Sequence, residues 1–389
     1  MNRLLLVLCL SVFTTAIAWR IVDPILPVLA ADLNVSLSEV VLLTTAYSVP
    51  FAAMQLMLGP VGDAWGKVRV IRLSLVIVAA SLVLMAVSPD YVTVLLTRVL
   101  GGAFTGGVNS VSLALIGERI PYQQRQVALG RFTSAMIAGQ ITGAAVSGFV
   151  VGLIGWITLF ALVATIVTTA ALMVHAMLDD SKHRRTRFTV RGAFTNYRSV
   201  LGTRDAWPVL ASLFFEGVFI LALIPFVAGM VLQHQAEGSA PAGIVIGAFA
   251  LGGTAFGFMV RGILTTIGPR NMIRLGGVLA GVSFIATALP LHWWVIACLF
   301  FIVGFGFYMF HSNIQLQATE LAPHARGAGV SLGACFFHSG QGFGPIFWAP
   351  FAEHRGFPIV FFSAGVLTIL LGFIVAWRMR LKERMPGAA

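Results

Sequence analysis

The stretch Gly139-Gln140-Ile141-Thr142-Gly143 decides the fold of this chain, because the chain contains a second copy of it. The glycines and the glutamine recur 201 residues later, in Gly340-Gln341-Gly342-Phe343-Gly344. Earlier matches have a spacing of 202 and pair Gly66 with Gly268, Arg72 with Arg274, Glu118 with Glu320 and Pro121 with Pro323. The matched residues lie at corresponding places in or between long apolar runs. The chain is therefore two copies of one half.

The composition places both halves in a membrane. Of the 389 residues, 58% are apolar and 10% are charged, whereas a soluble globular protein carries about 25% charged residues. So little polar surface cannot cover a water-soluble fold of this size, which indicates a protein that crosses the membrane many times. The three cysteines all lie in apolar runs and predict no disulfide framework.

Apolar runs long enough to cross a bilayer, which takes about 20 residues, occur twelve times. We number them spans 1 to 12: 4–30, 37–58, 71–88, 91–118, 127–152, 155–177, 206–232, 242–264, 271–290, 292–320, 327–352 and 358–377. The sequence predicts an all-α membrane protein of two pseudo-symmetric six-helix halves, 1–178 and 206–389, joined by a cytoplasmic linker at 179–205. In membrane proteins built from two parallel halves, the binding site lies where the halves meet.

The positive charges predict the orientation of the chain. A cytoplasmic N-terminus puts 22 of the 25 lysines and arginines on the cytoplasmic side, as the positive-inside rule requires. Both termini are therefore expected in the cytoplasm and the protein in a plasma membrane, such as the bacterial inner membrane. The net charge of +11 then serves orientation and contact with anionic lipid, and no nucleic-acid partner is expected.

The loop between spans 2 and 3, residues 59–69, resembles the signature loop of the major facilitator superfamily. It departs from that signature at Ala64, where an arginine is usual, and at Val68, which interrupts a basic pair. Glycines let the two helix ends approach closely, and Asp63 is expected at a helix N-terminus. The resemblance implies a conformational latch. Glu118 and Glu320 are expected to join it by pairing with basic loops, including Arg119, Arg125 or Arg326. The latch residues are Gly59, Asp63, Gly66, Lys67, Arg69, Glu118 and Glu320.

Two further motifs support this resemblance. Span 4 holds Arg98 and Gly102, similar to the family's Arg-x-x-x-Gly motif, and residues 139–143 are similar to its antiporter motif without the proline. The pattern is nearest to the twelve-helix drug/proton antiporters, which implies that spans 1, 4, 7 and 10 line the cavity. Hinge and packing roles are expected for Gly139, Gly143, Gly340, Gly344 and Pro345.

Ionisable residues inside the spans are the candidate substrate and proton site, because charges are costly in a membrane and mark function there. Asp23 is the first candidate for proton carrier, with Arg98 or Arg20 as its charge partner; Arg20, three residues earlier, shares a helix face with Asp23 and can pair with it. Glu216 is the second candidate and could instead bind a cationic substrate. The alternative for these charges is a structural ion pair between helices. Asn109 occupies the repeat position of His311. The candidates are Arg20, Asp23, Arg98, Asn109, Glu216, His311 and His338.

These observations predict a secondary active transporter, a monomer that exports a small amphipathic drug or metabolite in exchange for protons. One alternative is proton-coupled or facilitated uptake of a small organic anion. Another is a membrane sensor that transports nothing. The chain has no Walker loop and no hydrolase or metalloprotease motif, so ATP drive and enzymatic activity are not expected. No metal or other cofactor is expected besides the proton gradient.

Overall fold

The computed structural model describes residues 3–87, 90–179, 190–233, 238–322 and 326–384, and the chain divides into two compact units, Met1–Ala193 and Phe194–Ala389. The described secondary structure of the first unit consists of helices joined by short turns. Residues 180–189 of the predicted linker lie outside the described residues. A short helix, α7 (Val190–Leu201), crosses the boundary between the units. The helices of the first unit are α1 (Arg3–Arg20), α2 (Leu26–Asp32), α3 (Leu37–Trp65), α4 (Lys67–Val87), α5 (Tyr91–Arg119) and α6 (Tyr122–Met177).

The second unit repeats this pattern of elements. Its helices are α8 (Ala206–Phe219), α9 (Val227–Gln233), α10 (Ala240–Thr287), α11 (Trp293–Thr319), α12 (Arg326–Arg355) and α13 (Phe357–Arg384). In the first unit α1 packs along α6, and α5 packs along α3 and α4. In the second unit α10 packs along α11 and α13, and α8 packs along α12.

Nine helical stretches among the described residues are long and apolar enough to cross a membrane. Two of them are too long for one crossing, and each bends at a glycine with φ of 73°, Gly155 in α6 and Gly268 in α10. Only glycine adopts a positive φ without strain, and a residue in that conformation interrupts a helix. Each of these stretches therefore holds two helices. The 30-residue helix α12 is not among these nine stretches, because its glycines and polar residues make it less apolar. It adds one more long helix to the count. This arrangement is consistent with the twelve predicted spans.

The first span of each unit is a broken helix. In the first unit α1 ends at Arg20, a 3-10 turn covers Asp23–Ile25, and α2 follows. In the second unit a 3-10 turn at Leu221–Phe226 separates α8 from α9. Each turn contains a proline, Pro24 or Pro225, which removes a backbone donor and restricts the residue before it. Broken helices inside a membrane free backbone groups and side chains for binding.

The repeated glycines bring the broken helix of each unit against a partner helix. In the first unit a Cβ at Gly143 of α6 would lie 2.7 Å from the carbonyl oxygen of Ile17 in α1. In the second unit a Cβ at Gly344 of α12 would lie 3.1 Å from Cα of Val218 in α8. Only glycine allows backbones to approach so closely. Gly139 and Gly340, one turn earlier, meet the carbonyl oxygens of Phe13 and Phe214 in the same way.

The loop between α3 and α4 differs from the sequence expectation in one respect. Asp63 was expected at a helix N-terminus, but it lies in the last turn of α3, at the opposite end of a helix. The reason is that α3 continues through Gly59 and Pro60 to Trp65. It stops at Gly66, whose φ of 106° no other residue adopts without strain. The N-terminus in this region belongs to α4, which begins at Lys67.

Candidate substrate and proton site

The break in the first helix places a buried ion pair in the first unit. Arg20 Nη1 lies 3.0 Å from Asp23 Oδ2, and the two residues are 4% and 1% exposed. The ion pair predicted from the three-residue spacing of Arg20 and Asp23 is therefore confirmed. Arg20 is the last residue of α1, and Asp23 lies in the turn that follows it. Thr44 of α3 donates to the other carboxylate oxygen of Asp23 at 3.2 Å. Both oxygens of Asp23 thus have partners, one of them a cation.

Arg20 also makes contacts outside this ion pair. Its Nε donates to Oε1 of Gln140 on α6 over a long distance of 3.4 Å, and its guanidinium carbon lies 5.5 Å from the centre of the Trp19 ring. The glutamine of the repeated Gly-Gln motif is therefore part of this cluster, between the two glycines that pack on α1.

Arg98 has a different role from the one expected. Of the two predicted partners of Asp23, Arg20 is the one bonded to it, whereas Arg98 on α5 donates to three backbone carbonyl oxygens. These belong to Ala18 at 3.0 Å, Trp19 at 3.3 Å and Leu43 at 3.2 Å. The first two are carbonyls of the last turn of α1, which lack helical partners because α1 stops there. A cation at that position also complements the negative end of the helix dipole.

An aromatic group completes the cluster in the first unit. The ring of Tyr47 lies under the Arg98 guanidinium at 4.1 Å, a cation–π contact. The hydroxyl of Tyr47 pairs with that of Thr105 at 2.6 Å. Trp19 stacks on Tyr47 and contacts the ring of Phe51 in a tilted arrangement. A small cavity beside Arg98, bordered by Thr97 and Ser81 among others, has room for about one water molecule.

The second unit holds a separate buried acid. Glu216, in the last turn of α8, is fully buried, and its Oε2 lies 3.1 Å from Nδ1 of His311 on α11. Its other oxygen, Oε1, has no hydrogen-bond partner among the described residues. The two residues come from predicted spans 7 and 10, so the structure brings together one candidate acid and one candidate histidine. Asn109, at the repeat position of His311, lies half-buried in α5.

Aromatic rings surround the histidine of this pair. His311 stacks on Phe307 with ring centres 5.2 Å apart and contacts Phe337 of α12 at 4.5 Å. The next residue, His338, pairs through Nδ1 with Oε1 of Gln341 at 3.2 Å. Gln341 is fully buried, and its amide nitrogen has no partner among the described residues. The candidate polar residues of α8, α11 and α12 therefore lie on one connected set of contacts.

Several residues of these clusters were not identified from the sequence. The candidates were chosen mainly for their charge, and four uncharged residues were therefore missed: Thr44, Tyr47, Gln140 and Gln341. For the two glutamines the repeat was a signal, since each stands beside a packing glycine in both copies. Nothing in the sequence marks Thr44 or Tyr47, because their partners are 21 and 51 residues away.

In the first unit the predicted latch residues lie around the α3–α4 loop and at the end of α5, whereas Glu320 belongs to the second unit. Lys67 forms an ion pair with Glu118 at 2.8 Å, a partner that the sequence analysis did not name. Arg69 lies exposed on α4, and Glu320 is the residue that follows α11. Gly59 belongs to α3, and the side chain of Asp63 lies outside the described part of the structure. Pro345 is buried inside α12, directly after the packing glycine Gly344.

Solved transporter structures share this fold. The chain matches a bacterial homologue of the human lysosomal transporter Spinster with a TM-score of 0.77, at 16% identity and 97% coverage of both chains. It matches the nucleoside transporter NupG with a TM-score of 0.75, at 15% identity and over 95% of this chain and 98% of that one. At these identities the likeness concerns the fold alone.

Sequence relatives extend over the whole chain. The chain is 25% identical to the quinolone resistance protein NorA of Staphylococcus aureus (strain COL), over 99% of this chain and all of NorA. The riboflavin transporter RibZ of Clostridioides difficile (strain 630) is 23% identical over 40% of this chain and 34% of its own length. The sequence profile of the Major Facilitator Superfamily matches residues 8–345. This multi-pass membrane protein therefore belongs to the major facilitator superfamily of transporters.

Proposed function

We propose that this transporter exports small amphipathic compounds in exchange for protons, and that Glu216 carries the proton. The observation that supports this proposal is the Glu216–His311 contact: among the described residues, the fully buried carboxylate pairs with His311 through one oxygen and has no partner for the other. A buried charge in a membrane span is retained for function far more often than for stability. The full-length similarity to a quinolone resistance protein favours a drug or drug-like compound as cargo.

Glu216 suits this role better than Asp23, which the sequence analysis placed first. Asp23 accepts from Arg20 and from Thr44, so protonating it would disrupt two contacts and leave Arg20 buried without its counter-charge. Glu216 can accept a proton on Oε1 without losing its contact to His311. The same oxygen can receive an N–H or O–H group of the cargo, so that proton and cargo exclude each other. Mutual exclusion at one carboxylate is sufficient to couple two opposite fluxes.

Proton-driven transport of ethidium into inside-out membrane vesicles tests the proposal. An imposed pH gradient, acidic inside, should drive uptake by the wild type, while Glu216→Gln should abolish the driven component and keep slow equilibration. Glu39→Gln serves as the control, because Glu39 is an exposed acid in the first turn of α3 whose carboxylate pairs with Ser36 in a capping box. Normal proton-driven uptake by Glu216→Gln would refute the assignment of the proton to Glu216. Loss in Asp23→Asn alone would move the assignment to Asp23.

Uptake of a small organic anion is a second candidate, favoured by the charges of the first unit. Among the described residues this cluster holds two arginines, Arg20 and Arg98, against one acid, Asp23, and the hydrogen bonds of Arg98 go to carbonyl oxygens. An untargeted comparison of compounds inside and outside expressing cells separates the two candidates. Compounds depleted in wild-type cells but not in Glu216→Gln cells support export. An anion enriched in wild-type cells would favour uptake instead.

A further inference from the structure

Five buried side-chain polar atoms of the second unit have no hydrogen-bond partner among the described residues, and two of them belong to the packed helices α8 and α12. One is Oε1 of Glu216 on α8, an acceptor, and the other is Nε2 of Gln341 on α12, a donor. Both residues are fully buried. Inside a bilayer no water is at hand to satisfy such groups, so leaving them open costs stability. An acceptor and a donor that both lack partners can together form hydrogen bonds with one polar group of a ligand.

The two side chains start from helix segments that touch. Gly217, the residue after Glu216, packs on the backbone of α12, where a Cβ at Gly217 would lie 2.7 Å from the amide nitrogen of Gln341. One turn of α12 further on, Gly344 packs on Val218 of α8, and Trp348 donates to the Val218 carbonyl at 2.8 Å. The contact between α8 and α12 thus fixes the backbones that carry both open atoms.

Local rearrangement does not satisfy these atoms. The second oxygen of Glu216 is already used by His311, and the amide oxygen of Gln341 by His338. Turning the Gln341 amide by 180° would only exchange its atoms, because the nitrogen would then face His338 and the oxygen would stay open. The repeat-related Gln140 differs, since it is half-buried and accepts from a charged arginine. The open amide is therefore particular to the second unit.

We propose that Glu216 and Gln341 bind the polar group of the cargo, and that this group is a carboxamide attached to an aromatic ring. A carboxamide carries both an N–H donor and a carbonyl acceptor, which match the open carboxylate oxygen on α8 and the open amide N–H on α12. Phe307 and Phe337, stacked about His311, supply the apolar surface for the ring. This inference rests on the proposed function and names the class of compound that the same site binds.

Direct binding to the purified full-length protein in lipid nanodiscs tests the inference without any transport step. The probes are naphthalene-2-carboxamide and 2-isopropenylnaphthalene, which share a shape but differ in polar atoms. The wild type should bind the carboxamide about tenfold more tightly, the effect of one net buried hydrogen bond. Gln341→Leu should abolish this preference and leave the affinity for 2-isopropenylnaphthalene unchanged. Gln140→Leu, the matched variant in the other unit, should keep the preference.

Three results would overturn the inference. They are equal affinity of the wild type for both probes, an unchanged preference in Gln341→Leu, or loss of the preference in Gln140→Leu to the same extent. Gln341→Met replaces the leucine variant if the latter does not fold. Because binding is measured without a gradient, a wild type that prefers the carboxamide but shows no proton-driven flux would refute the proposed function and not the site. Proton-driven export by a wild type that does not prefer the carboxamide would refute the site and not the proposed function.

Discussion

Arg98 Nη1 donates to the carbonyl oxygen of Ala18 at 3.0 Å, so a guanidinium on α5 closes the C-terminal end of α1. Two further bonds reach Trp19 and Leu43, and the three donors leave the guanidinium in different directions. Arg98 therefore holds the break in the first span in place, and this break carries the buried pair of Arg20 and Asp23. An arginine predicted as a charge partner acts in the structure as a cap of a broken helix.

Arg98→Lys should destabilise the protein although it keeps the charge. An ammonium on a flexible stem cannot serve three carbonyls in the geometry of a planar fork. Losing two buried hydrogen bonds from a charged donor should lower the free energy of unfolding by about 3 kcal/mol. Thermal unfolding of the purified protein in detergent measures this effect, with Arg69→Lys, on an exposed arginine of α4, as the control. An unfolding temperature equal to that of the wild type would contradict the capping role.

Removing one member of the ion pair in the first unit should cost more than removing both. The single variants Arg20→Met and Asp23→Leu each leave one charge buried without its counter-charge, a loss of about 3–5 kcal/mol. The double variant Arg20→Met, Asp23→Leu should recover most of that stability, because no uncompensated charge remains. Thermal unfolding of the two single variants and the double variant forms a double-mutant cycle. Additive losses would mean that the two charges do not depend on each other.

Gly340→Ala should loosen the packing of α12 on α8. The new methyl group would meet the carbonyl of Phe214 and lie 3.1 Å from its Cα, and overpacking of this kind costs about 1–3 kcal/mol. The control is Gly257→Ala in α10, where nothing lies within 4 Å and alanine should stabilise the helix by up to about 1 kcal/mol. Opposite shifts in unfolding temperature for these two variants are the expected result. Equal shifts would show that the close approach at Gly340 is not needed.

Trp156→Phe should weaken the attachment of α2 to α6. The indole of Trp156 donates to Oδ2 of Asp32, the last residue of α2, at 2.8 Å. At the repeat position the second unit has Phe357, whose ring contacts Phe226 at 6.4 Å without any polar partner. A phenylalanine ring therefore fits at this position. Trp156→Phe should lower the free energy of unfolding by the contribution of one hydrogen bond, about 1 kcal/mol.

The matching measurement is a double-mutant cycle of Trp156→Phe with Asp32→Ala, followed by thermal unfolding. A coupling free energy near that of one hydrogen bond is expected. A coupling of zero would mean that the tryptophan acts through packing alone, as Phe357 does in the second unit.

Much of the architecture could be predicted from the sequence because apolar length and charge asymmetry are local properties of a chain in a bilayer. The bend at Gly268 falls between two predicted spans and the bend at Gly155 at the first residue of predicted span 6, and the repeated glycines pack where the copies match. The position of Asp63 was wrong because a helix end depends on where the next left-handed glycine lies, here Gly66. The breaks after Arg20 and Phe219 were also not foreseen, since proline alone bends many helices without interrupting them.

By itself, the sequence determined that the chain spans the membrane as two copies of one helical half, since the repeat and the apolar runs are written in residue order. It also determined which charges enter the membrane. Only the tertiary structure decided how those charges pair: Arg20 with Asp23, Arg98 with three carbonyls, and Glu216 with His311. The physical reason is that pairing depends on which helix faces meet. A rotation of one helix by a single residue, about 100°, would exchange these partners without changing the hydrophobic pattern.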